Sequence, residues 1–120
     1  MKWEYSDLVK WNDTEGNIPN VISLDIGLDH LTELPQKIFK LTSLQNFYCH
    51  NNQITVLPKE IGQLTSLQKF YCSYNKLTTI PKEIGQLTSL HIFGCGHNKI
   101  TSLPKEIGQL TSLQKFYCSY

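Results

Sequence analysis

Residues 58–67, PKEIGQLTSL, recur without a change at 81–90 and at 104–113, and PKEIGQLTSLQKFYCSY at 104–120 repeats 58–74 letter for letter. The offset is 23 residues, and it decides the architecture, because self-similarity at a fixed period marks a stacked repeat array. Cys49, Cys72, Cys95 and Cys118 fall 23 apart, as do Asn52, Asn75 and Asn98, with Asp29 one period earlier. The unit reads L-x-x-L-x-x-F-x-C-x-x-N-x-[LI]-x-x-[LI]-P-x-x-I-x-x. Full copies run 41–63, 64–86 and 87–109, and a partial copy runs 110–120. A degenerate first copy at 18–40 puts Ile18, Val21, Leu24, Ile26, Asp29, Leu31, Leu34, Pro35 and Ile38 in the same slots.

Within each unit the F-x-C segment has a period of two, so Phe47 and Cys49 point one way while Tyr48 and His50 point the other. That predicts a short strand per copy, with neighbouring strands parallel and about 4.8 Å apart. The inward files are Leu24, Phe47, Phe70, Phe93, Phe116 and Ile26, Cys49, Cys72, Cys95, Cys118. Burial of each apolar side chain is worth about 1.5–3 kcal/mol, and stacking is what closes the core. Asn52, Asn75 and Asn98 stand where the chain leaves the strand, and an amide there both donates to and accepts from backbone groups. The P-K-E-I-G-Q stretches predict 3₁₀-like turns ending at Gly62, Gly85 and Gly108.

The pattern resembles the leucine-rich repeat family, L-x-x-L-x-L-x-x-N/C-x-L. Leu44-x-x-Phe47-x-Cys49-x-x-Asn52-x-Ile54 matches it, with Phe and Cys in two Leu slots. Within that family the chain is similar to the 23-residue class with an L-P-x-x-I-G-x-L return segment, found in intracellular scaffolds, bacteria, amoebae and large viruses. The resemblance implies an α/β right-handed solenoid with a parallel sheet on its concave face and short 3₁₀ segments on its convex face. It also implies a buried asparagine ladder, from which Asp29 departs because a carboxylate lacks the donor. The repeat domain is then residues 18–120. Residues 1–17 read as an amino-terminal cap, with Trp3, Leu8 and Trp11 on one side of a short helix within 3–12; the alternative reading is an aromatic docking peptide.

Of the 120 residues, 40% are hydrophobic and 18% charged, which suits one globular domain. Residues 1–36 carry a balance of −5 and residues 37–120 one of +6. All eleven basic residues are Lys, which argues against nucleic-acid binding, where Arg is the usual reader of phosphate and guanine. No apolar run reaches the roughly 18 residues of a membrane span, and the amino terminus has no apolar signal core. The expectation is therefore a cytoplasmic protein with reduced, structural thiols and no membrane contact.

Nothing in the motifs asks for catalysis. G-x-S-x-G, the P-loop and the Gly-rich dinucleotide turn are missing, and so is the short C-x-x-C spacing of a metal site. His50 and His97 lie two repeats apart, about 10 Å, too far to share one metal ion. No cofactor or metal is expected. What remains is the outward face. Its files are Ser23, Asn46, Lys69, Ile92, Lys115; Asp25, Tyr48, Tyr71, Gly94, Tyr117; Gly27, His50, Ser73, Gly96, Ser119; and Leu28, Asn51, Tyr74, His97, Tyr120. Tyrosines among Lys, Asn, Ser and His have the make-up of a protein-binding surface. Candidate contacts are Asn46, Tyr48, His50, Lys69, Tyr71, Ser73, Tyr74, Ile92, Gly94, Gly96, His97, Lys115 and Tyr117, with Gly94 and Gly96 leaving a notch between flanking tyrosines. The functional expectation is a non-catalytic module for an unidentified protein. Two alternatives stand beside it: head-to-tail or edge-to-edge self-assembly through residues 110–120, and a targeting fragment of a larger effector enzyme.

Overall fold

The computed structural model describes residues 1–119; Tyr120, the last member of the fourth outward file, lies outside them. Six three-residue strands form one parallel sheet in chain order: β1 (Lys2–Glu4), β2 (Ser23–Asp25), β3 (Asn46–Tyr48), β4 (Lys69–Tyr71), β5 (Ile92–Gly94) and β6 (Lys115–Tyr117). Chain order equals spatial order because each 23-residue coil advances the backbone by one strand. The register pairs Leu24 with Phe47, Phe47 with Phe70, Phe70 with Phe93 and Phe93 with Phe116. Four 3₁₀ turns close the coils on the far side, at Gln36–Lys40, Lys59–Gln63, Lys82–Gln86 and Lys105–Gln109. The chain is a solenoid.

Phe47, Phe70 and Phe93 are fully buried, and their rings stack in a file that continues to Phe116, with centroids 5.4–5.5 Å apart and planes within 10°. In-register parallel strands force this arrangement, since equivalent Cβ atoms are separated only by the inter-strand spacing. Cys49, Cys72 and Cys95 form the second inward file and are buried, whereas Cys118 on the last strand is exposed. All four thiols are free.

The asparagine file joins the coils. Asn75 Nδ2 donates to the carbonyls of Cys49 and Cys72, both at 3.0 Å, and its Oδ1 accepts the N–H of Ile54 at 3.0 Å. One amide thus ties its own strand exit to the preceding coil at two points. Asn52 does the same with Ile26, Cys49 and Leu31, and Asn98 with Cys72, Cys95 and Leu77. Asp29 contributes only its backbone N–H, donated to Asn52 Oδ1 at 3.1 Å. The half-buried carboxylate replaces the donor where the ladder starts.

Three details differ from the sequence reading. The expected helix within 3–12 is shorter, α1 (Tyr5–Lys10), because Lys2–Glu4 pairs with Ser23–Asp25 and extends the sheet. Strand and helix together cover the first coil: Leu8 is fully buried, and Trp3 and Trp11 pack edge to face at 5.8 Å. Lys37 and Lys40 strap this segment down. Lys37 Nζ donates to the Trp11 carbonyl at 2.8 Å and sits 6.0 Å from that ring's centroid. Lys40 Nζ pairs with Asp13 at 2.8 Å, and this hydrogen bond holds the Asp13 carboxyl below its ordinary range.

Secondly, Ile18 does not fill the slot of the buried Leu41, Leu64 and Leu87; it is 56% exposed. It borders a hollow beside Trp3, Trp11 and Pro19, where the strand and helix of the amino-terminal segment, and not a 3₁₀ return segment, are its neighbours. Thirdly, the 3₁₀ turns run through Gly62, Gly85 and Gly108 to the following Gln instead of ending at glycine. None of these glycines has a positive φ. At Gly85 close packing is the reason, since a Cβ would lie 2.9 Å from the Glu106 carbonyl oxygen; at Gly62 it would meet the end of the flexible Gln86 side chain, and at Gly108 nothing lies within 4 Å.

Removing the amide of Asn75 strands buried backbone carbonyls of two coils. Asn75→Ala is expected to lower the unfolding free energy by about 3 kcal/mol, and Asn98→Ala, at a more exposed rung, by clearly less. Urea titration followed by intrinsic fluorescence checks the order.

Candidate functional site

The open face of the sheet displays the residues that alternate with the buried files. Tyr48 and Tyr71 stand side by side on β3 and β4, rings stacked at 5.4 Å and 12°. Beyond them the side chains lean apart. The His50 ring rests on Gly27, where a Cβ would lie 2.7 Å from the imidazole, and the Tyr71 ring covers Gly94, where a Cβ would lie 3.0 Å from Cδ1. Ser73 between them is short. The result is a groove of about 390 Å³ lined by Tyr48, His50, Asn51, Lys69, Tyr71, Ser73 and Tyr74.

One wall of the groove comes from an unusual backbone. Leu28, Asn51, Tyr74 and His97, equivalent residues of successive copies, all adopt left-handed conformations with φ of 63°, 56°, 57° and 55°. Asn tolerates this region, but a bulky residue there costs about 1–3 kcal/mol. The neighbouring coil holds the turn: the N–H of Asn51 donates to Ser73 O at 3.0 Å, that of Tyr74 to Gly96 O at 3.0 Å, and that of His97 to Ser119 O at 2.7 Å. Exposed Tyr74 then stacks flat on His97, centroids 4.2 Å apart.

The structure therefore gathers Tyr48, His50, Lys69, Tyr71, Ser73 and Tyr74 of the candidate contacts around one hollow. Asn46, Ile92, His97, Lys115 and Tyr117 share the face but lie outside the hollow, and Tyr117 is 51% exposed. The expected notch at Gly94 and Gly96 is absent. Both glycines are buried, one under Tyr71 and the other against the Ser119 carbonyl. The missing side chain of Gly94 admits the Tyr71 ring and that of Gly96 the Ser119 carbonyl, so the concavity opens one copy earlier. Asn51 lines the groove and was not among the candidate contacts; its position in the same slot as Tyr74 and His97 is the signal that points to it.

Burial, then the adjacent phenols of Tyr48 and Tyr117, push the Tyr71 hydroxyl above its ordinary range, so it is a protonated donor at neutral pH. Burial also raises the thiols: Cys95 is pushed up to about 12, and Cys49 and Cys72 are well above 9.0. They are packed hydrophobes, not nucleophiles. Among the described residues no group of three or more His, Cys, Asp or Glu side chains is arranged to hold a metal ion. Glu60, Glu83 and Glu106 follow Lys59, Lys82 and Lys105 in the 3₁₀ turns, away from the groove.

Comparison with known proteins agrees with the coil. A family model described as a leucine-rich repeat region matches residues 16–120. The chain belongs to the leucine-rich repeat family. Among solved structures it is similar to a leucine-rich repeat protein of Leptospira interrogans, with 35% identity over 97% of this chain and a TM-score of 0.74. It is also similar to the functional domain of InlJ from Listeria monocytogenes, which includes a cysteine ladder, at 32% identity over 82% of the chain and a TM-score of 0.71. Internalin C2 of Listeria monocytogenes shares the fold at 24% identity over 79% of the chain, again with a TM-score of 0.71. The chain spans 35%, 20% and 40% of those three chains, respectively. Comparison with curated proteins finds no match.

The thiol file sets an alkaline limit. Thiols that ionise near 9.0 when unfolded but far higher when folded leave stability unchanged at lower pH and erode it above. The cost of each buried thiol is expected to set in around pH 9 and to approach about 1.4 kcal/mol per pH unit above about pH 10. Urea unfolding of Cys72→Ala beside the parent chain should show a shallower decline.

Proposed function

We propose that this chain is a non-catalytic interaction module that docks a protein partner on the open face of its sheet, centred on the groove between Tyr48, Tyr71 and Tyr74. The observation that carries the reading is the groove itself: the stacked Tyr48 and Tyr71 rings, with Tyr74 and His50, frame a hollow on the hydrogen-bonded sheet. Tyrosine gives large contact area with few torsions to freeze, and it is enriched among residues that dominate binding energy. The backbone pairing beneath the rings adds to this, since side chains already stacked in place lose less freedom on association. The family supports the same role, as its solenoids serve widely as interaction surfaces. Within this reading the thiols stay reduced inside a cell, and the Phe, Cys and Asn files serve stability alone.

The partner, once isolated on the immobilised chain, provides the test. Tyr71→Ala and Tyr117→Ala are expected to weaken its capture by at least about tenfold together, with the unfolding midpoint little changed. Tyr71→Ala removes a groove wall, and Tyr117→Ala removes area further along the face. Undiminished capture by the double variant overturns open-face docking.

A further inference from the structure

The charge on the open face is one-sided. Residues 37–120 contain three side-chain carboxylates, Glu60, Glu83 and Glu106, and all three lie in 3₁₀ turns, where Lys59, Lys82 and Lys105 precede them. From β3 to β6 the sheet face therefore bears no acidic side chain, while Lys69 and Lys115 stand exposed on it. Carboxylates return only at the opposite end, where Glu4, Asp25 and Asp29 line a separate hollow. Lys2 shares the β1–β2 end with Glu4, Asp25 and Asp29, so an anionic ligand is attracted over β4–β6 and disfavoured over the net acidic β1–β2 end, which sets its direction.

Spacing narrows the ligand further. The register Lys69–Ile92–Lys115 sets the two ammonium groups' strands two apart, about 10 Å along the stack. A polyproline II segment laid along the stack returns the same side to the protein every third residue and advances about 9 Å in doing so. Carboxylates at i and i+3 then meet Lys69 and Lys115. The ring-lined groove beside Lys69 is the kind of surface against which such segments pack their prolines, and the protonated Tyr71 hydroxyl supplies a donor to a carboxylate there. A β-strand ligand fits less well, since its same-side residues, two or four apart, lie about 7 or 13 Å from one another and not about 10 Å.

We propose that the partner segment recognised on this face is an acidic peptide in polyproline II conformation with carboxylates three residues apart, its acidic part over Lys69 and Lys115. This rests on the open-face reading above and adds the partner's chemistry to it. The test is fluorescence anisotropy at low salt with a labelled peptide of repeating Glu-Pro-Pro triplets. Comparison probes are a peptide of equal composition with its glutamates clustered, a Lys-Pro-Pro peptide and a single-stranded oligouridylate.

Reversing both charges, Lys69→Glu with Lys115→Glu, is expected to weaken the Glu-Pro-Pro peptide by at least about tenfold; the same reversal at Lys59 and Lys105 on the far side should change it less than about twofold. The clustered peptide should bind more weakly than the triplet peptide. No measurable Glu-Pro-Pro binding, equal loss from both reversals, no preference for the triplet spacing, or tighter binding of the basic peptide or the oligonucleotide each overturns the proposal. If the peptides fail while Tyr71→Ala with Tyr117→Ala still loses its captured protein partner, the acidic-peptide inference falls and open-face docking stands.

Discussion

The side-chain amide of Asn52, repeated at Asn75 and Asn98, is the interaction on which the rest of this structure depends. At the end of each strand the chain leaves the sheet while still inside the molecule, and its carbonyls lose their ladder partners. Unpaired buried carbonyls are costly. A single amide supplies donors to two of them and an acceptor for the neighbouring coil's N–H, so the turn is completed only when the next coil is present. Cohesion between coils is thereby built into the turn of each one, and register follows from it.

Once register is fixed, the outward face is fixed too. Every outward residue has a defined neighbour one strand away, and side chains interact in files. Tyr48 with Tyr71 and Tyr74 with His97 are stacked because equivalent backbone positions of adjacent coils bring their rings side by side. The left-handed turn at Leu28, Asn51, Tyr74 and His97 illustrates the same dependence. A conformation that costs a tyrosine free energy is retained because hydrogen bonds to the next coil hold it. Local strain is offset by non-local pairing.

Much of this was legible in the residues. The identical PKEIGQLTSL segments give the period, the F-x-C alternation gives the buried and open files, and the asparagines give the turn. What escaped the pattern lies where periodicity stops or where side chains move sideways. Lys2–Glu4 has no counterpart in the repeat, so its pairing with Ser23–Asp25 carries no periodic signal. Ile18 occupies the right slot but is flanked by the non-repeating amino-terminal segment, which leaves it exposed. The groove sits at Ser73 and not at Gly94 because Tyr71 tips across the strand spacing, a lateral displacement that a one-dimensional reading of columns does not contain.

The resting places of His50 and Tyr71 bear on how such a surface changes over time. Gly27 and Gly94 do not border the hollow, yet their lack of a side chain draws the flanking rings outward and leaves Ser73 uncovered. The location of the concavity is thus encoded in copies one and four, while its chemistry is encoded in copies two and three. A gene built from near-identical units can relocate its surface hollow by exchanging a glycine for a bulkier residue in an adjacent unit, leaving the tyrosines themselves untouched.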